Sequence, residues 1–191
     1  MNNVPSFSLA LAGIVIMLLA MLVGPFFSAP EFMWITHTTS EQAAQGLAGA
    51  WIMRTGFVAF GAGTLLAAFL DRHRRVYVRW ALMLFGFGLI AAAIWSNAPI
   101  TANVPADMGE DWLHSAASWV VGMAFILACL ARLFAPGGSK SDSVAWIGLL
   151  VAILIPLLMN LFPDQRGLFQ RLMFLTSFVF VVREFAPPLK T

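Results

Sequence analysis

Residues 49–79 read GAWIMRTGFVAFGAGTLLAAFLDRHRRVYVR. An apolar run from Gly49 to Leu70 is followed at once by Arg72, Arg74, Arg75 and Arg79. A helix rises ~1.5 Å per residue, so ~20 apolar residues cross the ~30 Å hydrocarbon layer of a bilayer. Lysine and arginine collect in loops on the cytoplasmic side of such spans. An oily helix closed by a basic loop therefore predicts an all-α, polytopic membrane protein.

The rest of the chain agrees. It has 191 residues, 60% of them hydrophobic and 10% charged, with a mean hydropathy of +0.85. Soluble domains carry about 25% charged residues. Six spans are expected, near Ser8–Phe27, Gly49–Leu70, Arg79–Trp95, Trp112–Phe134, Val144–Phe162 and Gly167–Ala186, in one domain covering residues 1–191. The first lacks a basic n-region, and Pro30 follows its small-residue pair Ser28-Ala29, so it reads as a retained helix and not a cleaved signal.

Eight of the eleven basic residues fall on one side of this layout: Arg72, Arg74, Arg75, Arg79, Arg132, Lys140, Arg183 and Lys190. Six of the nine acids fall on the other: Glu31, Glu41, Asp107, Glu110, Asp111 and Asp164. Both termini are expected in the cytoplasm, with the loops near 28–46 and 96–111 facing outward. The net charge of +2 comes from residues at helix ends, which speaks against a nucleic-acid partner.

Several local signals refine the layout. Thr38 with Glu41 and Thr39 with Gln42 form overlapping capping boxes. A helix from there to Leu70 would be too long for the membrane, so it should stand outside it or break at Gly46 or Gly49. Gly49, Gly56 and Gly63 recur every seven residues, a small-residue stripe for close helix packing. Pro156 frees a backbone carbonyl in the fifth span, which Asn160 could serve. Cys129 stands alone in an apolar run, a small core residue that excludes an internal disulfide.

The stretch GEDWLHSAASWVVG, residues 109–122, places acids and a histidine where the fourth span begins. Asp111 is expected to cap that helix. Asp111, His114, Ser115, Ser118 and Gly122 share one face, which should avoid lipid. His114 precedes Arg132 by 18 residues, roughly 27 Å of helix; Arg54 precedes Asp71 by 17, roughly 25 Å; Arg171 precedes Arg183 by 12, roughly 18 Å. Asn160 and Gln170 fall near the same level. Arg54, Asp111, His114, Ser118, Asn160, Gln170 and Arg171 are thus the expected ligand-binding set of an outward-facing polar pocket. Two guanidiniums suit a carboxylate or phosphate. Phe57, Phe60, Phe169, Phe174 and Phe178 supply an apolar wall. The combination fits an anionic amphiphile.

Other chemistries have weaker signatures. His37 and His114 with Glu41, Glu110 and Asp111 hold suitable metal donors but lack HxxxH or HExxH spacing. Ser115 and Ser118 lie near His114 without a GxSxG elbow. No P-loop or GxGxxG occurs, and no cofactor is expected.

Four strings, HTTSEQ at 37–42, RTGF at 54–57, DWLH at 111–114 and GLFQR at 167–171, resemble the bacterial and archaeal membrane family catalogued as domain of unknown function number 998. The resemblance covers almost the whole chain. It implies a six-helix membrane domain with no assigned activity, and so no catalytic role to carry over. The leading expectation is a multi-pass protein of the bacterial inner membrane that binds or helps move an anionic amphiphile, with membrane lipids as partners. The alternatives are an accessory subunit or scaffold, docking a second copy or a membrane partner through the glycine stripe, and a metal-assisted lipid hydrolase.

Overall fold

The computed structural model describes residues 4–71 and 75–187. Arg72, Arg74 and Lys190, which entered the charge pattern above, lie outside the described residues. Among the described residues there are seven α-helices and no strand: α1 (Val4–Val23), α2 (Thr39–Gln42), α3 (Ala50–Leu70), α4 (Val76–Ile94), α5 (Met108–Phe134), α6 (Ser143–Leu161) and α7 (Arg166–Phe185). Five of them are long and apolar enough to cross a membrane: α1 with the short 3-10 turn after it, α3, α4, α5 and α6. The sixth expected span, α7, is equally long but more charged. Arg166, Arg171, Arg183 and Glu184 put three charges into any 18-residue window along it.

The six long helices form a ring. α1 packs on α3, α3 on α4, α4 on α5, α5 on α6 and α6 on α7, and α7 returns to α1. Glycines set the closest crossings. A Cβ on Gly63 would lie 2.6 Å from the Leu9 carbonyl oxygen of α1, and one on Gly13 would lie 2.5 Å from that of Ala59. Gly61 and Gly86 face each other across α3 and α4, where an added Cβ would stand 2.6 or 2.5 Å from the opposite carbonyl oxygen. The stripe of Gly49, Gly56 and Gly63 is thus covered by α1 and the turn following it, within the same chain.

The expected break before α3 occurs. Gly46 has a φ of +68°, in the left-handed region that glycine enters without steric cost, and Gly49 precedes the first residue of α3. The Thr38–Glu41 capping box forms in both directions. The overlapping box does not: Thr39 turns its amide and hydroxyl to Gln170 instead. Asp111 is not the cap of its helix either. That helix starts earlier, at Met108, because Asp107 accepts from the amides of Gly109 and Glu110.

An aromatic cluster fills the middle of the ring. Phe60 meets Phe178 at 4.9 Å and Phe85 at 5.5 Å, and Phe125 meets Phe180 at 5.4 Å between centroids, all edge-to-face, the arrangement ring quadrupoles favour. Cys129 is buried between α5 and α6, 2.9 Å from where a Cβ on Gly148 would stand.

Candidate functional site

The segment after α1, residues 28–46, lies over one end of the ring and is fastened there by polar side chains. Arg54 donates from Nε to the Ala43 carbonyl at 2.9 Å and from Nη2 to the Ala44 carbonyl at 3.0 Å. Arg171 donates from Nη1 to the carbonyls of Trp34, His37 and Gly167 at 2.8–3.0 Å. Its guanidinium carbon sits 4.5 Å from the centre of the Trp34 ring, within cation–π range. Only 2% of Arg171 is exposed. Gln170 accepts from Thr39 N–H and Oγ1–H at 2.7 and 2.6 Å. Arg166 pairs with Glu41 at 3.1 Å. The first amides of α7, from Gly167 and Leu168, donate to the carbonyls of Thr36 and Ile35, so the segment also satisfies donors that a helix start leaves free.

The connection between α4 and α5 is tied to the same end. Gln45 donates to the Ser96 and Asp107 carbonyls at 2.8 and 2.9 Å and accepts from Asp107 N–H at 2.7 Å. Glu110 accepts from Ser96 N–H and Asp111 from Ala98 N–H. His114 Nδ1 lies 2.9 Å from both the Ala92 and Trp95 carbonyl oxygens. Carbonyls only accept, so Nδ1 carries the proton. In the neutral ring the lone pair of Nε2 then faces Ser118 Oγ at 3.4 Å.

Beneath this cover, between α3, α4, α5, α6 and α7, lies a chamber of about 210 Å³. Phe57, Phe85, Leu89, Phe125 and Phe174 make its walls mostly apolar, and Ser40, Ser118, Gln170 and Ser177 add polar groups. A Cβ on Gly122, which lines it, would meet nothing within 4 Å. The buried residues of α6 end at Ile155. From Pro156 to Leu161 every residue is half-buried or exposed. Pro156 is exposed and lines the chamber, so at this residue the wall between the chamber and the outer surface is thin.

The structure therefore divides the expected set. Ser118 and Gln170 line the chamber. His114 stands behind Ser118. Arg54 and Arg171 turn to main-chain carbonyls of the covering segment, and Asp111 holds Ala98 of the second connection. Asn160 is exposed and donates to the Pro156 carbonyl at 2.8 Å, an ordinary bond back one turn and not to the carbonyl that the proline frees. Among the described residues, no group of three or more histidine, cysteine, aspartate and glutamate side chains is placed to hold a metal. Gln45, Ser40 and Ser177 carry roles that were not anticipated. Ser177 had a legible signal, since Gln170, Phe174 and Ser177 follow helical spacing along one face.

At the opposite end, Asp142 caps α6 by accepting from Ala145 N–H at 3.2 Å. It also pairs with Arg132 at 2.6 Å and with Arg183. Arg132 reaches Glu184 at 3.6 Å. One nearly enclosed carboxylate thus joins the ends of α5, α6 and α7. Burial pushes its pKa up, but the hydrogen bonds from Arg132 and Ala145 and the charges of both arginines outweigh burial and hold it below the ordinary carboxylate range.

Long apolar helices around an interior chamber, tied at both ends by polar networks, define an α-helical integral membrane protein. The chain belongs to the family described as "Protein of unknown function (DUF998)", whose model matches residues 11–183. No curated protein and no solved structure matches the chain.

Proposed function

We propose that this protein crosses the membrane six times, with both termini in the cytoplasm of a bacterial cell, and binds a lipid-like amphiphile in its interhelical chamber. The charges that set α7 apart support a sixth crossing. Arg166 pairs with Glu41 at one end and Arg183 with Asp142 at the other, while Arg171 is buried against protein. Each is handled as a charge in a membrane helix must be. The bias of basic residues supports a cytoplasmic Asp142 end, which sets the chamber in the outer half of the bilayer.

The observation that carries the ligand reading is the shape of the chamber. Its volume of about 210 Å³ is below the ~300–1,000 Å³ typical of sites that enclose a whole small molecule. Its thin wall at Pro156 faces the lipid. Such a space suits the head and upper chain of a membrane amphiphile whose remaining tail stays in the bilayer. Arg54 and Arg171, which led to the expectation of an anionic head, contribute by fixing the cover. The glycine stripe, once a candidate docking face, is occupied by α1.

Gly122→Leu tests the reading, because Gly122 lines the chamber and a side chain there meets nothing within 4 Å. Native mass spectrometry of the full chain, purified in mild detergent, should show a retained lipid adduct, and Gly122→Leu should remove it while melting like the parent. An adduct unchanged in a folded Gly122→Leu protein would refute chamber binding.

A further inference from the structure

Resting on the chamber as a lipid site, we infer that the amphiphile it takes has an uncharged, hydroxyl-bearing head, of the diacylglycerol or long-chain alcohol class. The hydrogen-bonding inventory of the lining leads there. Among the described residues that line the chamber, none is ionisable. The polar groups are three hydroxyls and one amide, and most of their capacity is already assigned.

Ser177 donates its proton to the Phe174 carbonyl at 2.7 Å, leaving oxygen lone pairs. Ser118 has an acceptor for its proton in His114 Nε2, because the two carbonyls at Nδ1 fix the tautomer. It too offers lone pairs. Gln170 has committed its oxygen to Thr39. Its amide nitrogen has a single long contact, 3.5 Å to Ser40 Oγ, so an N–H remains to be given.

The chamber thus presents one amide donor and hydroxyl acceptors. A ligand hydroxyl can answer both, accepting from Gln170 and donating to a serine oxygen. A carboxylate or a doubly ionised phosphate can only accept, so it leaves the serine lone pairs unanswered. It also brings a charge into a low-dielectric space whose lining has no countercharge, which is costly. Arg54 and Arg171 are near in sequence to chamber residues but do not line the chamber, and their hydrogen bonds run to main-chain carbonyls of the cover and of Gly167. His114 therefore acts as a positioning residue: by accepting a hydrogen bond from the Ser118 hydroxyl it leaves that serine's lone pairs to the chamber.

The test uses the full chain in nanodiscs, offered dioleoylglycerol or dioleoylphosphatidic acid, which share their tails and differ in the head. Retention is read by native mass spectrometry. Dioleoylglycerol should be retained at least about ten-fold more, and Ser118→Ala should lower that preference by roughly ten-fold, as expected for one lost hydrogen bond at a buried head. Gln170→Leu should act similarly, but it also removes a partner of Thr39. Ser118→Ala is therefore the cleaner variant, since Ser118 holds no part of the cover.

Equal or stronger retention of dioleoylphosphatidic acid, blocked by Gly122→Leu, would overturn the neutral-head assignment and leave the chamber as a lipid site. Retention of neither lipid, or of both irrespective of Gly122→Leu, would overturn the chamber reading itself.

Discussion

Gln170 on α7 accepts two hydrogen bonds from one residue, Thr39, which lies 131 positions earlier: the amide at 2.7 Å and the hydroxyl at 2.6 Å. This pair is the latch between the covering segment and the ring. Gln170→Leu leaves two largely buried donors without an acceptor, at about 1–3 kcal/mol. The covering segment should then be cut faster by added protease, while Gln170→Glu, which keeps the acceptor, should resist. Equal cleavage of parent and Gln170→Leu would mean that the latch does not hold the cover.

Two glycines, Gly61 on α3 and Gly122 on α5, should respond oppositely to the same change. In Gly61→Ala the new methyl would lie 2.6 Å from the Gly86 carbonyl oxygen, so α3 and α4 must separate; overpacking of this kind costs about 1–3 kcal/mol. In Gly122→Ala the methyl meets nothing within 4 Å, and alanine in a helix gains roughly 0.5–1 kcal/mol over glycine. Melting followed by tryptophan fluorescence should rank Gly122→Ala above the parent and Gly61→Ala below it. The reverse order would contradict the close crossing at Gly61 and the open space at Gly122.

The arginines that fasten the cover should differ in what they can lose. Arg171 serves three carbonyls from one nitrogen and stacks on Trp34 while 2% exposed. Arg54 serves two and is half-buried. Lysine lacks both the second donor nitrogen that Arg54 uses and the planar guanidinium that Arg171 sets against the Trp34 ring. Arg171→Lys should cost about 2–4 kcal/mol and Arg54→Lys about 1 kcal/mol, seen as a larger drop in melting temperature for the first. Arg171→Lys melting with the parent would remove the clamp from the account of this end.

Helix positions were legible in the sequence because a span is a property of twenty residues together. Apolar length and basic loops announce α3 and α4 whatever single side chains do. The site was less legible because it depends on which polar group meets which. Depth along the helix put Arg54, His114 and Arg171 at one level, but depth says nothing about rotation around the axis. The missing information was the path of residues 28–46. Their carbonyls at Trp34, His37, Ala43 and Ala44 draw the guanidiniums away from the ring's interior. The capping residue of α5 was missed for a related reason. Asp107 and Asp111 are both acceptable caps, and the choice rests on Ala98, which occupies Asp111 from another segment.

The end of the ring that carries Asp142 should be sensitive to acid through that residue. Its carboxylate is held below the ordinary range by Arg132, Ala145 and Arg183. A depressed folded value stabilises the charged, folded form, so the contribution is complete above the unfolded carboxylate value of ~3.9. It is lost as the pH falls through the lower folded value. Asp142→Asn keeps a competent helix cap but has no charge to lose. At neutral pH it should melt below the parent by about 1–3 kcal/mol. That is less than the ~3–5 kcal/mol of a fully buried pair, because the Arg183 and Arg132 side chains are 43% and 19% exposed and water screens them. At ~2–4 °C per kcal/mol for a chain of this size, the gap is measurable. Other carboxylates titrate in both proteins and cancel in the comparison. The gap between parent and variant should therefore close below about pH 4, as the parent loses what the variant never had. A gap that stays constant or widens on acidification would place the stability of the α5, α6 and α7 junction in packing instead of in this ion pair.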